Sequence, residues 1–210
     1  MITIVNYDMG NLGSIQNMLK KIGLKSIITS SPEEVLASEK LILPGVGNFK
    51  RAMENLHAFG LVDALNQKVL VDKTPILGIC LGMQLMTSFS EEGNVAGLGF
   101  IEANTVKFND FQDTGLKVPH MGWNSTLFTN NHPIGEGLFD SRFYFVHSYK
   151  VICKHVENVM VTTNYGGDFH AGIMSEHIMG VQFHPEKSHK FGMRLLQNFD
   201  SIVIEAKPKN

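Results

Sequence analysis

The most constraining stretch of this chain is Thr74-Pro75-Ile76-Leu77-Gly78-Ile79-Cys80-Leu81-Gly82-Met83-Gln84. An apolar run delivers a cysteine into a Gly-x-Cys-x-Gly turn, and an amphipathic segment follows. That order of residues requires a strand that bends sharply into a helix, the cysteine form of a nucleophile elbow. Gly78 and Gly82 leave room where the two elements meet, and Cys80 is held at the strand tip. A helix start beneath the sulfur favours the thiolate and offers backbone N–H groups to a developing oxyanion. A lone cysteine is more often a buried apolar side chain; the flanking glycines set Cys80 apart. Cys153, in Lys150-Val151-Ile152-Cys153-Lys154, lacks that context and reads as structural.

The residues around the elbow alternate in type. Ile2-Thr3-Ile4-Val5 reads as a buried strand, followed by the loop Asp8-Met9-Gly10-Asn11. Ile15, Met18, Leu19 and Ile22 mark one helix face, which Gly23 stops. Ser26 to Thr29 is a second strand, and Ser31-Pro32-Glu33-Glu34 a helix start. Leu41-Ile42-Leu43 is a third strand, ended by Pro44-Gly45-Val46-Gly47. Helical patterns fill residues 48–71 and 83–89, on either side of the strand that ends at the elbow. Such alternation predicts a parallel sheet with right-handed crossovers, whose carboxyl edge is where ligands bind. Beyond residue 97, strand-like runs at 98–108, 142–152, 158–164, 170–175 and 179–183 predict an antiparallel extension, and a helix closes the chain over 189–205. The expected fold is α/β: a mostly parallel central sheet flanked by helices, with an antiparallel extension, in a single domain over residues 1–210.

Gly180-Val181-Gln182-Phe183-His184-Pro185-Glu186 supplies what a nucleophile needs. In an extended chain, residues i and i+2 point to the same side. Pro185 biases His184 toward an extended backbone, so Glu186 is placed to meet its imidazole. A nucleophile, a base and an acceptor that orients the base follow in the order Cys80, His184, Glu186. Glycines in Pro44–Gly47 let backbone N–H groups turn toward a ligand, as one half of an oxyanion hole completed by the N–H of Leu81.

Composition removes other classes. The chain has 210 residues, a net charge of −2, 18% charged and 43% hydrophobic residues, so it is globular and lacks the basic footprint of a nucleic-acid or anionic-membrane binder. No apolar run approaches the roughly 18 residues of a membrane span, and the first residues carry no signal-peptide pattern. Two cysteines do not make a disulfide framework, and a cytoplasmic location is expected. The nine histidines form no His-x₃-His pair, and no Cys-x₂-Cys occurs, so no metal is expected. Pro44–Gly47 lacks the Gly-Lys-Ser/Thr of a phosphate loop.

Together, Gly78-Ile79-Cys80-Leu81-Gly82-Met83-Gln84 and His184-Pro185-Glu186 resemble the signatures of the class I, triad-type glutamine amidotransferases. Leu43 to Phe49, Val118-Pro119-His120-Met121-Gly122-Trp123-Asn124, Tyr144 to Tyr149 and Gly180 to Lys187 are similar to one branch of that family. It is the branch that feeds ammonia to the cyclase of histidine biosynthesis. The resemblance covers essentially the whole chain and implies the fold of that family, a flavodoxin-like sheet. It implies a glutaminase without cofactor, paired in a heterodimer with a (β/α)₈-barrel synthase that makes imidazole glycerol phosphate and AICAR. It implies Cys80, His184 and Glu186 as catalytic residues, and an oxyanion hole at Val46, Gly47 and Leu81. It also implies a glutamine pocket of Gly47, Gln84, Glu92, Ser148 and Tyr149, and a partner face carrying Asn11, His120, Met121, Trp123 and Asn124.

The opening departs from the family pattern of Asp-Tyr-Gly followed by Gly-Asn-Leu-Arg-Ser. Here Asn6 stands for the acid, Asp8 for the glycine and Gly13 for the arginine. An alternative branch supplies ammonia for sugar amidination in surface-polysaccharide synthesis. Two readings come from other classes. A stand-alone cysteine hydrolase has no need of the partner-facing segment, and a binding protein with a dead site usually loses one of the three residues that stand intact here as Cys80, His184 and Glu186. Glycine in Pro44–Gly47 makes two backbone states accessible, so a peptide flip is expected there, with low activity in the absence of the partner.

Overall fold

Strand and helix alternate through the first half of the computed structural model, which describes residues 1–108, 116–129 and 132–203. The order is β1 (Ile2–Val5), α1 (Leu12–Lys21), β2 (Ser26–Thr29), α2 (Pro32–Leu36), β3 (Lys40–Leu43), α3 (Phe49–Ala58), α4 (Leu61–Asn66), β4 (Ile76–Ile79) and α5 (Leu81–Leu85). Strands then dominate: β5 (Phe89–Ser90), β6 (Val95–Ala96), β7 (Ala103–Lys107), β8 (His120–Phe128), β9 (Ser141–His147), β10 (Tyr149–Cys153), β11 (Val159–Asn164), β12 (Asp168–Ser175) and β13 (Ile178–Val181). Helix α6 (His189–Ser201) comes last.

Local chemistry sets the helix ends. Asn11, Ser31 and Asn48 each accept a backbone N–H from three residues on, at 3.3, 3.2 and 3.0 Å, and so cap α1, α2 and α3. Gly23, at φ +81°, stops α1 as its spacing predicts. The helical pattern of residues 48–71 is split, because Gly60 at φ +66° turns the chain between α3 and α4. The segment expected to be helical over 83–89 is shorter: α5 ends at Leu85 and the chain turns into β5.

The central sheet runs β2-β1-β3-β4-β13-β12-β10-β7-β5-β6. From β2 to β13 all neighbours are parallel; β12, β10 and β7 continue antiparallel. A branch of β11, β8 and β9 leaves the sheet at β12. The two faces sort by alternation along the strands. Ile2, Ile4 and Ile42 pack with Ile15 and Leu19 of α1 and Leu195, Leu196 and Phe199 of α6. Val5, Leu41 and Leu43 pack with Phe49, Leu56 and Leu65 of α3 and α4. The mixed α/β sheet with flanking helices and an antiparallel extension therefore matches expectation.

Three details differ. β8 was not expected, because its nine residues include Gly122 and Asn124 and only His120, Thr126 and Phe128 are buried; it is held by cross-strand pairing with β9. The run 142–152 is two strands broken at Ser148. The last helix stops at Ser201, and residues 204–205 lie outside the described residues. No helix among the described residues is long and apolar enough to cross a membrane.

Candidate active site

β3, β4 and β13 are parallel neighbours, so their carboxyl ends lie side by side. Those ends carry Pro44–Gly47, Cys80 and Gln182–Glu186. The elbow is a true turn: Cys80 has φ +53°, a conformation that L-residues rarely adopt, and its N–H donates to the Val181 carbonyl at 2.8 Å. Glycine makes the approach of α5 possible. A Cβ on Gly82 would overlap the Leu43 carbonyl, and a Cβ on Gly78 would lie 2.7 Å from the Met83 nitrogen. Gly180, paired with Gly78 across β4 and β13, leaves space for Met83 on the same face.

His184 and Glu186 meet as their i, i+2 spacing predicts. Nδ1 and Oε1 are 2.7 Å apart, and both side chains are buried, 1% and 2% exposed. The loop is anchored on β9, where the Tyr144 carbonyl accepts the His184 N–H at 2.9 Å and the Ser188 hydroxyl accepts the Tyr144 N–H at 3.0 Å. Gly192 lets α6 rest directly on the Pro185 carbonyl. Among the described residues, His184 Nε2 is buried without a hydrogen bond of ordinary geometry, and Cys80 lies close enough to act on the ring, the condition of a ring nitrogen kept for a reacting group. Burial opposes the imidazolium, yet Cys80 and Glu186 outweigh it and His184 is pushed up to about 10. Cys153 is different: burial pushes its thiol up to about 12, which keeps it inert.

A cavity of ≈ 340 Å³ opens beside Cys80. Val46, Gly47, Cys80, Leu81, Gln84, Glu92, Ser148 and Tyr149 all line it, so the residues expected at the oxyanion hole and in the glutamine pocket come together. Pro119, Val146 and His147 complete the wall, and no motif singled these out for the pocket. Ser148 and Tyr149 reach it because the chain bends between β9 and β10. Glu92 accepts the Phe49 N–H at 2.8 Å, which fixes its carboxylate at the start of α3. The Tyr149 hydroxyl is pushed up by burial and by Glu92 and Glu91.

Leu81 and Gln84 are already engaged. The Leu81 N–H donates to the Gly45 carbonyl at 3.3 Å, so an oxyanion could take it only if Gly45 lets go. The Tyr7 hydroxyl, fully buried, donates to the Pro44 carbonyl and holds the same loop. Gln84 Nε2 donates to the Tyr149 carbonyl and to Gln182 Oε1, at 3.2 and 3.0 Å.

The segment expected on a partner face divides. Met121 and Trp123 are 61% and 40% exposed. Trp123 stacks on His189 with ring centroids 5.5 Å apart. Asn11 is exposed and caps α1. His120 is not on the surface: it is 3% exposed and stacks between Phe145 and Tyr165. Its pairing with His147 across β8 and β9 explains this, since facing residues of an antiparallel pair share one side of the sheet.

The two histidines form a chain whose protons can be assigned. The Tyr149 carbonyl only accepts, so His147 Nδ1 carries the hydrogen 2.8 Å from it. His147 Nε2 then accepts from His120 Nδ1 at 2.9 Å, and Asn124 Nδ2 lies 3.2 Å from His120 Nε2. Every bond is made with both rings neutral. Burial pushes His120 down to about 4. Burial outweighs the Tyr149 carbonyl and pushes His147 down to about 3, helped by repulsion from His120 and His184 when those rings are protonated. Unfolded, both would titrate near their ordinary value, so between about pH 6.5 and pH 4 the unfolded chain binds more protons and stability falls with pH. The unfolding free energy from denaturant melts should be lower at pH 4 than at pH 7 by several kcal/mol, about 3 kcal/mol of it from His147, and the difference should shrink in a His147→Gln chain.

The chain belongs to the class-I glutamine amidotransferase family, whose model matches residues 3–202. Imidazole glycerol phosphate synthase subunit HisH 2 of Methanococcus maripaludis is 54% identical over 200 residues, 95% of this chain and 98% of that one. The HisH 2 subunit of Pseudomonas aeruginosa is 46% identical over 204 residues, 97% of this chain and all of its own length. Among solved structures, a glutamine amidotransferase shares the fold with a TM-score of 0.71 at 18% identity, covering 95% of this chain and 97% of its own. The structure of PurLQS from Thermotoga maritima does so with a TM-score of 0.71 at 16% identity, covering 94% and 96%.

Proposed function

We propose that the chain is the glutaminase subunit of an imidazole glycerol phosphate synthase, one cytoplasmic catalytic domain that hydrolyses glutamine and passes the ammonia to a (β/α)₈-barrel subunit in a heterodimer. One observation carries the glutaminase step: Cys80, which acts on His184 of the buried His184–Glu186 pair, also lines a cavity whose wall includes Glu92, Ser148 and Tyr149.

The Cys80 thiolate attacks the side-chain carbonyl carbon of glutamine, and the oxygen takes the negative charge. Backbone N–H groups at Val46, Gly47 and Leu81 receive that oxygen. The His184 imidazolium gives its proton to the departing nitrogen, ammonia leaves, and a glutamyl thioester remains on Cys80. Neutral His184 then takes a proton from water, whose oxygen attacks the thioester. Glutamate leaves and the thiolate–imidazolium pair returns. Glu186 holds the imidazole throughout.

The Leu81 N–H bonded to Gly45 makes this resting state a poor catalyst. Partner docking near Met121 and Trp123, with the partner's nucleotide bound, releases the loop. One oxyanion donor contributes about 10²–10³ in rate. Glutamine hydrolysis should therefore rise about a hundredfold or more when the barrel subunit and its nucleotide are added to the purified chain. Full activity of the chain alone would overturn this account of the loop.

A second reading keeps the same chemistry and changes the acceptor. Asn6, Asp8 and Gly13 fall in and just after one loop, behind β1, and Asp8 takes φ +62° where glycine is usual. That surface change fits a partner that amidates a sugar. Stimulation by a sugar-modifying synthase, with indifference to the imidazole-pathway nucleotide, would select it.

A further inference from the structure

Gln182 touches the candidate nucleophile, although no motif gives it a part. We propose that it is a positioning residue for Cys80, holding the sulfur as an acceptor through a buried amide N–H whose direction is set by the Tyr149 carbonyl. The proposal deepens the glutaminase reading and rests on it for its kinetic consequences.

The register of β4 and β13 creates the contact. Ile79 faces Val181, so the next residues, Cys80 and Gln182, leave the sheet together. Gln182 is completely buried, and its backbone N–H is taken by the Ala171 carbonyl at 2.9 Å. Its side-chain nitrogen lies 3.6 Å from Cys80 Sγ.

An amide can be turned end for end, so what matters is which end faces the sulfur. Here the surroundings decide. The Tyr149 carbonyl can only accept, so Gln84 must present Nε2 to it. The same nitrogen lies 3.0 Å from the Gln182 side chain, which must answer with its oxygen. Gln182 is left with its N–H₂ toward Cys80. Reversal would put oxygen against the sulfur and two donors against each other at a side chain that is fully buried. The relay from Tyr149 through Gln84 and Gln182 to Cys80 thus has one polarity.

A thiolate accepts this hydrogen bond strongly and a thioester sulfur weakly. Gln182 therefore supports the thiolate that attacks glutamine and the thiolate that leaves when the thioester is hydrolysed. It does not line the cavity, so it has no hold on the substrate.

Two substitutions separate the donor from the shape. Gln182→Glu keeps the outline and replaces N–H with oxygen; Gln182→Met fills the space and offers no donor. Cys80 alkylation by iodoacetamide is followed from pH 5 to pH 10, and glutaminase kcat and KM are measured with the stimulating partner present. In Gln182→Met we expect alkylation at pH 7 to slow about tenfold, its half-maximal pH to rise by about one unit, and kcat to fall about tenfold with KM within twofold. Gln182→Glu should lose more, about a hundredfold in kcat. Wild-type alkylation and kcat in a folded Gln182→Met chain would overturn the proposal. So would a loss seen only in KM or in thermal stability. Alkylation reads the sulfur without any acceptor, so a wild-type chain that hydrolyses no glutamine would sink the glutaminase reading and still leave the Gln182 contact tested.

Discussion

A Cys80→Ala chain should fall by at least about 10⁴-fold in glutamine turnover, with or without its partner, and keep its fold. Both halves of that expectation have a physical basis. Cys80 lies at φ +53°, and alanine bears the same Cβ, so the backbone strain is unchanged. Among the described residues, the sulfur's polar contacts to Gln182 and to the Val146 carbonyl are long, at 3.6 Å and 3.9 Å. Removing it costs little packing and all of the nucleophile. A His184→Ala chain should lose nearly as much, and the double variant no more than the worse single one, because the groups act as a unit. Turnover of labelled glutamine in the partner-bound protein reads the effect. Turnover in Cys80→Ala within tenfold of wild type would remove Cys80 from the mechanism.

Gly82→Ala should be the most damaging single methyl addition at the site. Its Cβ would overlap the Leu43 carbonyl oxygen and lie 2.7 Å from the Leu43 carbonyl carbon and 3.3 Å from that of Pro44. All three are backbone atoms at the tip of β3, so no side chain can swing away. Either α5 lifts off the sheet or β3 retreats, and each displaces the oxyanion loop from Cys80. We expect a loss of about 3 kcal/mol or more, seen as a melting temperature lower by about 8 °C. Glutaminase activity should fall in the fraction that still folds. Gly13→Ala is the control. A Cβ there meets nothing within 4 Å, and alanine is the better helix former, so stability should rise by about 0.5 kcal/mol. Equal melting temperatures for Gly82→Ala and wild type would show that the elbow tolerates bulk.

Much of the candidate site was legible because its parts are local. The glycine–cysteine–glycine spacing follows from steric room at one turn, and the bond between His184 and Glu186 follows from i, i+2 geometry reinforced by Pro185. The pocket residues Gln84, Glu92, Ser148 and Tyr149 were reached through resemblance, and the structure brings them to the wall of one cavity. Gly192 and Ser188, which seat the His184 loop, carried no readable signal, since a glycine in a helix and a serine before one have many commoner uses. β8 escaped because its polar positions weaken the alternation that marks a strand. His120 looked like a surface residue beside Met121 and Trp123. Its burial depends on Phe145 and Tyr165, which arrive from other parts of the chain.

The amino-acid sequence by itself determined the alternation of strand and helix, the sharp turn that lifts Cys80, and the pairing of His184 with Glu186. Each rests on backbone sterics and side-chain direction within a few residues. Only the tertiary structure decided that the Leu81 N–H is held by Gly45, that His120 and His147 form a neutral buried chain, and that Gln182 turns its amide hydrogen toward the sulfur. The reason is distance along the chain. Gln182 and Cys80 are 102 residues apart, joined by the register of two parallel strands. The polarity of their contact is set by a carbonyl on a third strand, and no preference local to either residue carries that information.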